Sequence, residues 1–149
     1  MLLVDSSVWI DWLRGADTDA VRFVQEREAR EELAITQMIY LEVLQGVSSD
    51  RQLAATRRVL GAQTMLLPLD SLGTFETSAA LYRRARQRGL TIRKSTDCLI
   101  AAMALENGAV LVHNDRDFLS LAQAVPELIV FPRSPHSPDS PDSPRTTTH

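Results

Sequence analysis

Short apolar runs with strand character alternate with longer helical patterns along this chain, and that alternation constrains the fold more than any other feature. The runs are Leu2–Val4, Leu33–Ile35, Met65–Leu67, Ala109–Val112 and Leu128–Val130. Each is rich in Leu, Ile, Val or Met, and none alternates apolar with polar, as a strand facing water on one side would. Between them stand helical stretches: 7–13, 17–30, one after a Thr36 N-cap through Val47, one from Asp50 to near Gly61, 70–88, 95–107, and a short one after Asn114 or Asp115. Gly89 and Gly108 fall just past two of these, where a helix stop belongs. Strand–helix–strand repetition implies a parallel sheet covered by helices on both faces. The expected fold is therefore α/β, with three α/β/α layers around a central parallel sheet of four to five strands. Sheets of this kind place their sites beyond the carboxyl ends of the strands.

The pattern stops at Phe131. The remainder, PRSPHSPDSPDSPRTTTH, has no apolar residues to bury and many prolines, so a folded domain is expected at 1–131 and a disordered tail at 132–149. The chain of 149 residues is one core's worth. No apolar run approaches the roughly 18 residues of a membrane span. The opening stretch is broken by Asp5 and Asp11, so no secretory signal is expected. One cysteine excludes an internal disulfide and a cysteine-rich zinc site, and two of the three histidines lie in the tail. A cytoplasmic protein without membrane association is expected. The net charge of −3 gives no global positive field, so any contact with nucleic acid has to be local.

The acids fall where such a fold builds its site. Asp5 directly follows the first strand. Asp115 comes three residues after the fourth, with Asp117 two further on, and Asp97 lies in the first turn of the helix that starts near Ser95. Singly, each could be only a helix cap, since Asp accepts backbone N–H bonds there and meets the positive helix end. Glu42 is harder to dismiss. Its helix carries Met38, Ile39, Tyr40, Leu41, Val43, Leu44 and Val47, apolar nearly all round, and a helix of that kind is expected to be buried. A buried carboxylate needs a partner or must stay protonated, and the partner is either a buried arginine or a metal ion. Asp97 heads a second helix that is apolar all round, Cys98 to Leu105. Acids converging on one sheet edge, with no thiolate or histidine set beside them, point to a hard cation such as Mg²⁺ or Mn²⁺. A site of that kind activates water and clamps a phosphoryl group, so metal-dependent phosphodiester hydrolysis is the natural chemistry.

The ordered set VDSSVWI, LEVLQG and KSTDCLIAAMALENGAVLVHNDRDF resembles the PIN-domain nucleases, and most nearly the VapC-type toxins of bacterial toxin–antitoxin pairs. The resemblance covers residues 1–131. It implies a Mg²⁺- or Mn²⁺-dependent endoribonuclease whose acidic quartet falls on Asp5, Glu42, Asp97 and Asp115, with Asp117 as an accessory acid. By the same resemblance, Asp5 and Asp97 are the principal metal ligands, and Glu42 and Asp115 complete the cluster. Ser6 and Ser7 match a small polar pair that orients a ligand or water. Where the family often has a hydroxyl residue, this chain has His113, read here as a strand-end cap. The resemblance further implies a cognate VapB-type antitoxin and a homodimer.

The one dense basic segment, YRRARQRGLTIRK, runs directly into the Asp97 helix. Arginine is favoured at a helix C-terminus by the dipole, which accounts for one or two of its cations but not all six. Arg84, Arg88, Arg93 and Lys94 are therefore candidate RNA contacts. Trp9 and Trp12 share a helix face at i and i+3. Trp9 is assigned to the core and Trp12 to a partner groove. Three other readings compete. A haloacid-dehalogenase-type phosphatase wants a second acid at position 7, which is Ser7. A receiver domain wants its phosphoacceptor after the third strand, where Pro68 stands. A degenerate PIN domain that binds RNA without cleaving it would be expected to have lost acids, and all five are present.

Overall fold

The structure, a computed structural model, describes residues 1–133. Its elements are β1 (Leu2–Val4), α1 (Ser6–Leu13), α2 (Asp19–Arg27), β2 (Leu33–Thr36), α3 (Gln37–Gln45), α4 (Asp50–Gly61), β3 (Thr64–Leu66), α5 (Gly73–Gln87), α6 (Ser95–Glu106), β4 (Val110–Val112), α7 (Arg116–Ala124) and β5 (Val130–Phe131). Residues 134–149, which hold nearly all of the expected tail, lie outside the described residues.

The five strands form one all-parallel sheet in the order β3-β2-β1-β4-β5. Leu2, Leu3 and Val4 of β1 are buried and sit at its centre, with Leu3 in register with Ala34 on one side and Leu111 on the other. From β1 the chain builds outward through β2 to β3, then crosses back to β4 and continues to β5. Parallel crossovers are right-handed, so the outward path lays its helices on one face and the returning path lays them on the other. The packing agrees: α1 contacts α2 and α3, and α3 contacts α4, while α5, α6 and α7 contact one another. The direction reverses at β1, and the crevice between the carboxyl ends of β1 and β4 is the topological switch point where open α/β sheets bind ligands. On the second face, α6 is buried from Asp97 to Ala104, wedged between the sheet and α5.

Local chemistry sets most boundaries. The Thr36 hydroxyl accepts from the Ile39 N–H at 3.2 Å and starts α3. Gly89 and Gly108 take positive φ (73° and 59°) just beyond α5 and α6, a conformation that costs a residue with a Cβ far more. Beyond shifts of a few residues at several element ends, four details differ from the sequence reading. Ser49, not Asp50, caps α4, accepting from the Gln52 N–H at 3.2 Å. Asp70 does not begin α5; its carboxylate accepts from the Leu72 and Gly73 N–H groups and closes a turn, so the helix starts at Gly73. Leu128 belongs to a turn, its N–H bonded to the Val125 carbonyl at 3.0 Å, and β5 begins at Val130. Finally, α3 is not buried all round: Ile39 and Val43 face the core, whereas Leu41 is 53% exposed. The helix lies on the outside of its layer, and apolar content alone does not distinguish a surface helix with spare leucines from an enclosed one.

Candidate active site

The end of β1 is tied to the end of β4. The Asp5 N–H donates to the Val112 carbonyl at 2.9 Å. The Asp5 carboxylate, 3% exposed, caps α1: its Oδ2 accepts from the Ser7 N–H at 3.1 Å and from Ser7 Oγ at 2.6 Å. Ser7 Oγ in turn accepts from the Asn114 N–H at 3.0 Å, and Asn114 Nδ2 donates to Asp11 Oδ2 at 2.8 Å. Ser7 thus orients the first acid and links it across the crevice to the loop that carries Asp115. Burial pushes the Asp5 carboxyl above its ordinary range, the Ser7 bonds pull it back, and the charge of Glu42 raises it again.

Glu42 is half-buried on α3, and no arginine pairs with it among the described residues. Ser6 Oγ donates to its Oε2 at 3.1 Å, while its Oε1 is buried with no hydrogen-bond partner. Asp97 is 3% exposed in the first turn of α6, and its Oδ2 is likewise buried without a partner. Residue 94 occupies the cap position of α6 and no side chain caps that helix, so Asp97 is not spent on capping. Its carboxyl is pushed up to about 7, first by burial and then by the charges of Asp5, Asp115 and Asp117, with Lys94 opposing. These couplings place the acids of β1, α6 and β4 in one electrostatic neighbourhood.

Asp115 caps α7, its Oδ1 accepting from the Asp117 N–H at 3.0 Å. Arg93 lies against this end of the cluster: Nη2 meets Asp115 Oδ1 at 3.0 Å, and Nε stands 3.3 Å from both oxygens of Asp117. The Arg93 N–H adds a second donor to Asp117, on Oδ2 at 3.1 Å. His113 is buried, with Nδ1 accepting from the Asp115 N–H at 3.1 Å, so Nε2 carries the proton toward the Pro132 carbonyl at 3.2 Å. Burial pulls its pKa down and favours this neutral form. His113 therefore braces the end of β4 from inside. Among the described residues, no three acidic, histidine or cysteine side chains already stand at metal-binding spacing. Serines, caps and Arg93 hold these mutually repelling groups apart. The donor set nonetheless suits a hard cation, because it is all oxygen and leaves two buried carboxylate oxygens without a donor.

The sequence profile of the PIN domain matches residues 2–124. The chain belongs to the PIN-domain family. Ribonuclease VapC11 of Mycobacterium tuberculosis is 35% identical over 127 residues, spanning 83% of this chain and 92% of the relative. Ribonuclease VapC19 of the same organism is 30% identical over 119 residues, 79% of this chain and 92% of the relative. Among solved structures, VapBC2 from Rickettsia felis bound to a promoter DNA fragment aligns with TM-score 0.67 at 17% identity, covering 87% of this chain and 96% of that one. VapBC-1 from nontypeable Haemophilus influenzae aligns with TM-score 0.66 at 20% identity, covering 87% and 95%. This PIN domain stands among the VapC ribonucleases, and its structural neighbours come from toxin–antitoxin complexes.

The basic segment of this PIN domain is dispersed by intramolecular partners. Arg84 pairs with Glu127 at 2.6 Å and Arg88 donates to the Gln123 carbonyl, both stitching α5 to the far end of α7. Arg93 belongs to the acid cluster, and Lys94 sits at the start of the Asp97 helix. Trp9 is buried and Trp12 half-buried, stacked at 5.4 Å with ring planes 7° apart. Together with Leu13, Leu33 and Val59 they line a groove rimmed by Glu28 and Glu31. Sequence reasoning missed Asn114 and Asp11 as crevice ties and Arg93 as a partner of the acids. No spacing rule connects residues so far apart in the chain. No described helix is long and apolar enough to cross a membrane.

Proposed function

We propose that this chain is the toxic component of a toxin–antitoxin pair, an endoribonuclease that hydrolyses RNA phosphodiesters with Mg²⁺ or Mn²⁺. The observation that carries the reading is the pair of buried, donorless carboxylate oxygens, Asp97 Oδ2 and Glu42 Oε1, in a crevice where burial first, and then the neighbouring acids, push the Asp97 carboxyl up to about 7. Buried carboxylates in that condition call for a cation. Asp5 and Asp97 would be the principal metal holders, with Glu42 and Asp115 completing the set and Asp117 accessory. A cation bound there supplies an activated water and a clamp on the scissile phosphate. The residues do the rest. Ser7 fixes the Asp5 carboxylate, Ser6 steadies Glu42, and His113 holds the Asp115 backbone. Lys94, beside the cluster, and Arg84 and Arg88, further along, would take RNA phosphates. The Arg84–Glu127 pair is exposed, and exposed pairs contribute little, so phosphate can displace it at small cost. The Trp12 groove suits an apolar antitoxin segment carrying basic residues, since Glu28 and Glu31 edge its aromatic floor. A VapB-type antitoxin and a homodimer complete the reading, with residues 1–131 as the nuclease domain.

The test is cleavage of end-labelled RNA by purified protein in Mg²⁺ or Mn²⁺, with EDTA and Asp97→Asn as controls. Cleavage is expected only with the metal and the intact acid, leaving 5′-phosphate ends. Undiminished cleavage in EDTA would refute the metal. RNA binding without cleavage under any metal would favour a PIN domain that only binds.

A further inference from the structure

The acidic cluster divides into two halves with opposite surroundings. Asp5, Glu42 and Asp97 form the half that no cationic side chain touches: serines donate to Asp5 and Glu42, and Asp97 Oδ2 and Glu42 Oε1 have no donor among the described residues. Asp115 and Asp117 form the other half, where three of the four carboxylate oxygens are occupied and only Asp115 Oδ2 has no hydrogen-bond partner among the described residues. Asp117 receives Arg93 Nε on both oxygens and the Arg93 N–H on Oδ2, and Asp115 Oδ1 receives Arg93 Nη2 and the Asp117 N–H. One guanidinium therefore bridges two carboxylates, Nε toward one and Nη2 toward the other. Arginine's planar fork suits this arrangement, and its charge is permanent. The bond from the Arg93 backbone fixes the root of the side chain at the site, while the side chain itself, 63% exposed, lies over the two acids from the surface.

Resting on the metal-dependent reading above, we infer that Arg93 takes the place of a second divalent cation: this site holds one metal ion, on Asp5, Glu42 and Asp97 with Asp115 Oδ2 completing the set, while the Arg93 guanidinium offsets one of the two negative charges of Asp115 and Asp117. Sites that use two ions place them about 3.5–4 Å apart between shared carboxylates. Here the second such position has three of its four carboxylate oxygens taken and one of its two negative charges offset by a group that cannot lose its proton. A second dication would have to displace the guanidinium and would be repelled by it until it did. Arg93 is on this account a positioning residue, holding two acids in place around a single-ion centre.

The stoichiometry of Mn²⁺ bound to the metal-free full chain, counted by electron paramagnetic resonance of the free ion, tests this. Wild type is expected to bind one Mn²⁺ per chain. Arg93→Gln should bind two, the added one more weakly, and Arg93→Lys, which keeps the charge without the fork, should bind one. Two ions on wild type, or one on Arg93→Gln, would overturn the inference while leaving the metal-dependent reading intact. No Mn²⁺ on either protein would instead overturn that reading and the inference with it. The wild-type count decides the matter even if Arg93→Gln does not fold.

Discussion

Replacing Asp97 by asparagine is expected to stabilise the metal-free protein while abolishing cleavage, and the stabilisation should grow with pH. The Asp97 carboxyl titrates at about 7 in the fold against an ordinary value of 3.8. Between those values the folded protein holds a proton that the unfolded chain has released, so stability falls as pH rises through this window. The favourable contribution is fully present below 3.8 and is lost by the time pH passes 7. From pH 5 to pH 8 the linkage gives a loss of about 3 kcal/mol from this one group. Asparagine has no such titration. The gap in stability between Asp97→Asn and wild type should therefore widen by about 3 kcal/mol over that range, or about 6–12 °C in melting temperature for a chain of this size. Thermal unfolding of both proteins in EDTA at pH 5, 6, 7 and 8 measures it. Taking the difference at each pH cancels the other titrating groups, as long as the substitution leaves them undisturbed. Added Mg²⁺ should then raise the melting temperature of wild type by mass action and that of the variant far less. A gap that stays constant with pH, or a variant less stable at pH 8, would refute the account of Asp97 as a buried acid left waiting for a cation.

Ser7→Ala removes the hydroxyl that donates to Asp5 and accepts from Asn114, leaving the Asn114 N–H to find another acceptor. It should cost about 1–3 kcal/mol in thermal unfolding and lower the maximal cleavage rate at least tenfold while leaving KM nearly unchanged, because the lost bonds position an acid rather than bind RNA. An unaffected rate would show that Asp5 needs no orienting hydroxyl. Arg84→Glu combined with Arg88→Glu should weaken RNA binding and reduce the salt dependence of log Kd by about one to two, measured by fluorescence anisotropy across a salt series. An unchanged slope would assign both arginines to the α5–α7 stitching alone.

The sheet was legible because each strand is a short apolar run and each crossover is long enough for a helix. Thr36, Gly89 and Gly108 mark their boundaries by chemistry that acts within three residues, which is why they could be placed from sequence. The positions of Asp5, Asp97 and Asp115 at strand ends and a helix start followed from the same pattern. What could not be read is decided by contacts distant in the chain. Nothing local distinguishes Arg93, bound to Asp115 and Asp117, from Arg84, bound to Glu127; both read as cations in one basic segment. The exposed Leu41 misled in the same way, since a side chain's burial depends on whether another layer covers it. Ser49 shows the smaller version of this, where it competes with its neighbour Asp50 to cap α4 and only the backbone turn selects one, while Asp70 closes a turn and caps no helix.

The central strand also has a consequence in time. β1 gains its neighbour β2 early in synthesis but meets β4 only after most of the domain has been made, with Leu3 pairing with Leu111. Closing so long a loop costs entropy before any contact repays it, so pairing of this kind is slow compared with helix formation. A nascent chain carries Asp5 and Glu42 long before Asp97 and Asp115 exist to join them. The proposed catalytic centre is thus among the last things to assemble, and on that proposal a growing chain stays inert beside the ribosome's own RNA until the outer half of its sheet has docked.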